Sequence, residues 1–176
     1  MRALLLLMTV AAAGDSLADQ KVVHFKKLEA FLPTKDVGGF SRGKPTGSTT
    51  NAMNMTMSEA SVRYTRPGTD GRSDSIDVKI ADLSSIPFGA MAMGAPGLVT
   101  GDFENETENG YEKSVTVKNH KATEQVTKGG SKSAHLSVPI GNRFIVTLDG
   151  SGFDDPSLLH GLAESMDLDK LEKVAP

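Results

Sequence analysis

The stretch from Ala134 to Lys173, AHLSVPIGNRFIVTLDGSGFDDPSLLHGLAESMDLDKLEK, predicts a β-hairpin that leads directly into an amphipathic helix. Apolar residues occupy every second position of two runs, as in half-buried strands, and they are Leu136, Val138, Ile140, Phe144, Val146 and Leu148. Gly141-Asn142 between the runs favours a tight turn. Asp155 as N-cap and Pro156 at the first helical position then start a helix, whose apolar stripe is Leu158, Leu159, Leu162, Ala163 and Met166. This stretch therefore predicts a core of strands covered by a terminal helix.

Met1 to Ala18 has the pattern of a secretory leader. Arg2 precedes an apolar run that is too short for a membrane-spanning helix, which needs about 20 residues. Small residues, Ser16 and Ala18, lie at the −3 and −1 positions of a cleavage site. We therefore predict that 1–18 is a signal peptide, that 19–176 is a single domain, and that the protein is periplasmic or secreted.

The composition excludes several classes of function. The chain has no cysteine, which excludes disulfides, thiolate catalysis, Cys-based metal sites and a lipid anchor attached at the cleavage junction. The net charge of −3 provides no electrostatic footprint for nucleic acid or anionic lipid. The sequence thus predicts no nucleic-acid partner and no membrane anchor, and a fold that depends on its hydrophobic core.

The rest of the chain predicts an α+β fold. A short helix is expected over 22–32, where Pro33 ends it, and a docked crossover helix over 86–99. The polar segment 36–51 predicts an irregular connection or an edge segment, and the acidic run 102–108 predicts a solvated turn. The links between strands are short, so we expect a mainly antiparallel sheet of about six strands with short N-terminal, crossover and C-terminal helices packed on it. The strands are predicted at 54–65, 75–83, 111–117, 122–127, 136–140 and 144–148.

The second half of the chain resembles a recurring pattern in uncharacterised exported bacterial proteins. The residues that carry it are Gly110-Tyr-Glu-Lys-Ser-Val-Thr-Val, Lys121-Ala-Thr-Glu, Gly141-Asn-Arg-Phe-Ile-Val, Phe153-Asp-Asp and the tail Asp167-Leu-Asp-Lys-Leu. More distantly, the order of strands closing with a helix over 22–173 resembles the PsbP-like sandwich, which includes a photosynthetic lumenal protein and mycobacterial lipoproteins of the LpqN type. The resemblance implies a fold and an exported setting, and it implies no chemistry.

The sharpest local feature is a methionine-rich strand. Met53, Met55 and Met57 alternate, so that three thioethers share one strand face, and thioether sulfur is a soft ligand that selects Cu(I). The alternative is that these residues fill gaps in the core against 86–99. Farther along the strand the apolar positions change parity, which predicts a β-bulge near Ser58–Glu59.

Motifs for other chemistry are weak. No Gly-x-Ser-x-Gly elbow accompanies the four histidines, and we expect His135 and His160 to be ordinary surface residues. The acidic segment Asp149–Asp155 lacks the oxygen ligands that a calcium loop needs at positions 5 and 12, and helix capping explains its carboxylates. No nucleotide-binding or cofactor motif is present, so no cofactor is predicted.

The sequence as a whole predicts an exported, non-enzymatic binding module for an unknown protein or small ligand. The first alternative is a soft-metal protein that binds Cu(I) through Met53, Met55 and Met57. The second alternative is a hydrolase, which requires a serine and a histidine within hydrogen-bond reach.

Overall fold

The computed structural model describes residues 21–52, 55–68, 71–85 and 101–175. Its strands are β1 (Ser41–Arg42), β2 (Thr46–Ala52), β3 (Met55–Pro67), β4 (Ser73–Asp82), β5 (Glu104–Thr107), β6 (Gly110–Val117), β7 (His120–Thr127), β8 (Ser133–Ile140) and β9 (Phe144–Ser151). Its helices are α1 (Phe25–Leu28), which continues as a 3-10 turn (Glu29–Phe31), α2 (Ser157–Ser165) and α3 (Leu168–Glu172). The predicted leader 1–18 and the predicted crossover helix 86–99 lie outside the described residues.

All nine strands belong to one sheet, in the order β1-β3-β4-β9-β8-β7-β6-β5, with β2 also pairing with β3. Every neighbouring pair is antiparallel. The two halves of the chain meet where β4 pairs with β9, with Ser75 opposite Ser151 and Asp82 opposite Phe144. This central pairing makes one sheet from segments that are far apart in sequence.

One face of the sheet carries the core. Alternate residues of the central strands are buried on this face, as the period of a strand requires, and they include Val62, Tyr64, Ile76, Val78, Ile80, Leu136, Val138, Val146 and Leu148. The helices contribute Leu28, Leu159, Leu162, Leu168 and Leu171 to the same cluster. Within the described part of the chain, no helix is long and apolar enough to cross a membrane.

A buried ion pair fastens the N-terminal segment to this sheet. Asp82, at the end of β4, is fully buried and accepts a hydrogen bond of 2.6 Å from the Val23 N–H. The guanidinium of Arg143 lies against the same carboxylate, with Nη2 2.8 Å from Oδ2 and Nε 3.1 Å from both oxygens. Nη2 also donates to the Lys21 carbonyl at 3.0 Å, so one side chain ties the loop after β8 to the start of the described chain.

The structure corrects the predicted fold class. The sheet has nine strands rather than about six, and the helices are short segments on a mostly β structure. The added strands are β1, β2 and β5. β2 (TGSTTNA) and β5 (ENET) have no apolar alternation, because each is an exposed edge strand held mainly by backbone pairing with its neighbour.

The predicted bulge near Ser58–Glu59 is wrong. β3 pairs with β4 in unbroken register from Ser58 opposite Asp82 to Pro67 opposite Ser73. The change of the apolar positions from odd to even numbers has another cause. Met55 and Met57 lie beyond the end of β4, where β3 pairs only with β2 within the described residues. The alternation of β3 is therefore continuous, with Ser58 at a buried position and Met55 and Met57 on the opposite face.

The hairpin and the terminal helix predicted for the C-terminal stretch are confirmed, but the N-cap residue of the helix is Pro156 and not Asp155. β8 and β9 form the expected hairpin, and their turn begins at Gly141, whose φ of 56° suits a glycine. The terminal helix starts at Ser157, one residue later than the expected start, and Asp155 Oδ1 accepts the Ser157 N–H at 3.0 Å. Leu159, Leu162 and Ala163 are the buried residues of this helix.

Candidate functional site

The end of the sheet opposite the β2–β3 hairpin carries a polar cleft. The return from β3 into β4, the turn between β7 and β8, and the end of β9 meet there and enclose about 420 Å³. Its lining consists of hydroxyl, glycine and charged residues, namely Arg72, Ser73, Asp74, Gly129, Gly130, Ser131, Lys132, Ser151 and Gly152. A cleft of this size is within the range of small-molecule sites.

One wall of the cleft is held rigidly by Arg66. Its Nε donates to Asp74 Oδ2 at 3.0 Å and its Nη1 donates to the Gly38 carbonyl at 3.0 Å. The guanidinium also stacks over the Phe40 ring, 4.4 Å from the centroid, and Phe40 packs edge-on against Phe153. The Asp74 carboxylate is therefore oriented and partly neutralised before any ligand arrives.

Gly152 closes the floor of the cleft. Its φ of 91° belongs to the region that favours glycine, and an added Cβ would collide with the Asp74 carboxylate. Its N–H donates to the Lys132 carbonyl at 3.0 Å, which fastens the β7–β8 turn to the end of β9. Any larger residue at this position must displace Asp74, the turn or both.

Among the described residues of the lining, hydrogen-bond donors outnumber carboxylates. Arg72 and Lys132 bring cationic donors, and Ser73, Ser131 and Ser151 bring hydroxyls. Lys132 Nζ lies 3.3 Å from Asp154 Oδ1, an exposed pair of the kind that contributes little. The arrangement suits a ligand with several acceptor oxygens, such as a carboxylate or phosphate together with hydroxyls.

A second cluster lies under α2 and is centred on Glu124 of β7. This carboxylate is only 3% exposed, and it accepts the Tyr111 hydroxyl at 2.8 Å. His160 Nε2 lies 2.6 Å from the other carboxylate oxygen, and Lys113 Nζ lies 3.5 Å away from the first. Lys113 is the residue opposite Glu124 across the β6–β7 ladder, so the sheet register itself pairs the two charges.

The environment of this cluster shifts two titrations. Burial of Glu124 opposes its ionisation, yet hydrogen bonds from His160 and Tyr111 and the nearby positive charges outweigh burial and lower the pKa of Glu124. Burial, the hydrogen bond to Glu124 and its negative charge raise the pKa of Tyr111 to about 12. Glu124 thus stays ionised and links α2 to β6 and β7, a structural role that the contacts fully account for.

The methionine-rich strand is partly described. Met55 and Met57 are 43% and 39% exposed and lie on the same face of β3, away from the core. The two residues therefore do not fill the core, which was the alternative to metal binding. Met53 lies outside the described residues, so the three-sulfur arrangement stays a prediction. In the parts of the chain that the structure describes, His, Asp and Glu form no cluster of three suited to a metal ion.

The histidines are distributed among separate contacts. His120 and His135 lie beside Asp169 and Asp149 at 3.2 and 2.6 Å, and His24 accepts the Lys26 N–H. The expectation that His160 is an ordinary surface residue is wrong, because its ring contacts the buried Glu124. Among the described residues, no serine hydroxyl is bonded to an imidazole, so the pair that the hydrolase hypothesis requires has not been located there.

Sequence reasoning missed the cleft and Glu124. The cleft joins three turns whose glycines and serines predict only turns, and no local pattern brings Arg72 near Lys132. Glu124 did leave a signal, because a charged residue stands between Ala122 and Val126 on the apolar face of a predicted strand. Such an ion must find partners across the sheet or from a covering helix, and here it finds both.

No family model, no curated protein and no solved structure matches this chain. The resemblance to uncharacterised exported bacterial proteins and to the PsbP-like layout therefore stays a prediction.

Proposed function

We propose that this protein is an exported, non-enzymatic binding module that holds a small, hydroxyl-rich ligand with an acidic group in the cleft beside Arg72 and Lys132. The observation that carries the proposal is the cleft itself, a cavity of about 420 Å³ whose lining residues are polar or glycine. Export is supported by the leader pattern of 1–18.

The chemistry of the lining supports this ligand class. Asp74 is the sole carboxylate among the described lining residues, and Arg66 already engages it. The remaining side chains are hydroxyls and cations, which donate to sugar hydroxyls and bind carboxylate or phosphate oxygens by charge-assisted hydrogen bonds. Because the wall and floor are pre-formed, binding costs little ordering of the protein.

Glucuronate is a suitable first probe, because it combines hydroxyls with one carboxylate. We expect it to shift the amide resonances of Gly129, Gly130 and Gly152 in a saturable way, with a dissociation constant on the order of 1 mM for so small a ligand. Glucose, the neutral control, should bind at least about tenfold more weakly, because charge-assisted hydrogen bonds are the stronger ones. The measurement is a two-dimensional amide NMR titration.

Lys132→Gln tests the charge directly, because Lys132 Nζ has only the exposed Asp154 as a partner in the described chain. We expect this variant to lose most of the preference for glucuronate over glucose and to unfold at the same temperature as the parent. Lys79→Gln, on the outer face of β4, is the matched control. Equal shifts with the two sugars, or shifts spread away from the cleft, would rule out the proposed ligand class.

A second candidate function is Cu(I) binding at the β2–β3 hairpin. The observation that favours it is the exposure of Met55 and Met57 on one face of β3, where their soft thioethers are available to a ligand. The proposal includes Met53, the third residue of the alternating set.

Titration with Cu(I) against a competing chelator tests this second function. We expect Met55→Leu with Met57→Leu to weaken Cu(I) binding at least about tenfold, because leucine keeps the volume and removes the sulfur. Met166→Leu is the matched control, since Met166 is 2% exposed and lies in the core. Equal Cu(I) affinity in the double variant and the parent would eliminate the methionine site.

A further inference from the structure

The strand β2 forms one edge of the sheet among the described residues, and its composition is unusual for an edge strand. It has seven residues, TGSTTNA, without a charge or a proline, and Thr46 to Asn51 are all exposed. Among the described strands it pairs only with β3. Natural edge strands generally carry lysines, prolines or bulges that prevent pairing with another chain, and β2 carries none of them.

The ladder shows which backbone groups of β2 face outward. The Gly43 N–H donates to the Arg63 carbonyl, so on this side of β3 the odd-numbered residues form the hydrogen-bonded pairs. Thr46, Ser48 and Thr50 lie opposite such odd-numbered residues. The intervening β2 residues therefore direct their N–H and C=O groups away from the sheet, and these residues are Gly47, Thr49 and Asn51.

This edge is held in an extended conformation from the core side. Thr49 Oγ1 lies 2.8 Å from Ser58 Oγ and accepts the Phe25 N–H at 3.3 Å. The Phe25 ring covers Gly47, because a Cβ there would lie 2.6 Å from Phe25 Cδ2. A strand that is ordered in advance pays little entropy when it pairs.

The other edge of the sheet differs in charge. β5 (ENET) is fully exposed, and it presents Glu104 and Glu106. Pairing of β5 with a copy of itself would place these carboxylates near one another, which is unfavourable. Pairing of β2 with a copy of itself brings no like charges together, and threonine and serine are residues that form favourable cross-strand pairs.

We propose that two copies of this protein associate through β2, antiparallel about a two-fold axis at Thr49, so that their sheets become continuous. In this register Asn51 lies opposite Gly47 of the second copy, and Ser48 lies opposite Thr50. The contact is a small isologous interface. It is therefore weak and reversible, with a dissociation constant on the order of 100 µM. This association is independent of the cleft, which lies at the other end of the sheet.

Sedimentation equilibrium tests the proposal on protein purified from cells that express the full chain. The protein concentration runs from about 10 µM to 1 mM, a range that brackets the expected dissociation constant. We expect a monomer–dimer equilibrium. Asn51→Pro removes an outward N–H and should weaken the dimer at least about tenfold, because proline cannot donate to a ladder. Asn51→Thr keeps the N–H and should leave the association within about twofold of the parent.

Thr50→Lys is a second variant, used in case Asn51→Pro unfolds the hairpin. A lysine on an edge strand opposes strand pairing, so this variant should also be at least about tenfold weaker. A protein that stays monomeric at 1 mM, a parent that forms species larger than a dimer, or Asn51→Pro and Thr50→Lys dimers as tight as the Asn51→Thr dimer would each overturn the proposal.

Discussion

Replacement of Arg143 with methionine is expected to lower the free energy of unfolding by about 3–5 kcal/mol, the cost of removing one partner from a buried ion pair. Asp82 is fully buried, so without the guanidinium its charge would keep, among the described residues, only the N–H groups of Val23 and Ser84. Methionine retains an unbranched apolar stem and removes the guanidinium, which also lies over the Phe144 ring at 5.0 Å from its centroid. Urea denaturation, followed by far-ultraviolet circular dichroism, measures the change.

The exposed pair Arg63–Asp77 provides the matched control for this prediction. It has the same two-point geometry, with Nε to Oδ1 at 2.7 Å and Nη2 to Oδ2 at 2.9 Å, but its side chains are 66% and 37% exposed. Arg63→Met should therefore cost less than about 1 kcal/mol. Similar costs for the two variants would show that the Asp82 pair is not buried as described.

Glu124→Gln is expected to shift the titration of Tyr111 to lower pH. Burial, the hydrogen bond to Glu124 and the negative charge of Glu124 raise the pKa of Tyr111 to about 12. The neutral amide of glutamine removes that charge and keeps the shape of the side chain. The chain has two tyrosines and no tryptophan, so phenolate absorbance follows these groups directly. Burial also raises the pKa of Tyr64, which is remote in the fold and should titrate unchanged.

The pH dependence of stability follows from the same cluster. Because the folded-state pKa of Glu124 is lowered, its contribution is present above the unfolded value of about 4.3 and is lost as the pH falls through the folded pKa. Because the pKa of Tyr111 is raised to about 12, its contribution is present below about pH 10 and is lost as the pH rises towards 12. Glu124→Gln should remove the acid-side loss due to this residue and reduce the alkaline one.

A parent protein that is half ionised at both tyrosines near pH 10, before it unfolds, would contradict this account of the Glu124 cluster. So would a Tyr111 titration that is the same in Glu124→Gln and the parent. The control is Glu112→Gln, a change on the same strand as Tyr111 but with its side chain on the other face of the sheet.

The sequence allowed the hairpin β8–β9 and the helix after it to be predicted because both carry strong local signals. Leu136 to Leu148 alternate, and Asp155 marks the helix start. β2 overlaps the segment 36–51, for which an irregular connection or an edge segment was predicted, and β5 lies in the run 102–108, where the predicted solvated turn is wrong. Neither was predicted as a regular strand, because their residues are polar on both faces. Such strands are formed by pairing with a neighbour, and pairing between strands is not visible in a local pattern.

The methionines show how a correct alternation leads to a wrong interpretation. Met55 and Met57 do share a face, as predicted, but the change of parity after them is not a bulge, because β3 runs on beyond the end of β4 and is paired there with β2. The cleft was beyond prediction for a different reason. Asp74 and Gly152 meet only because β4 pairs with β9, and that pairing joins residues 75 and 151.

Both the fold and the cleft depend on the pairing of β4 with β9, because this pairing joins the two halves of the chain and brings the walls of the cleft together. In this register Val78 faces Leu148 and Ile80 faces Val146. These are the non-hydrogen-bonded pairs. The Leu83 N–H donates to the Arg143 carbonyl just beyond the end of the ladder, which fixes the odd-numbered residues of β4 as the bonded ones. Their α-protons therefore point at each other across a short gap.

The most direct measurement is a nuclear Overhauser experiment on the isotopically labelled protein. We expect strong contacts between the α-protons of Val78 and Leu148 and between those of Ile80 and Val146. Contacts of Val78 with a residue other than Leu148 across this ladder, or β4 and β9 each paired with different strands, would contradict this expectation.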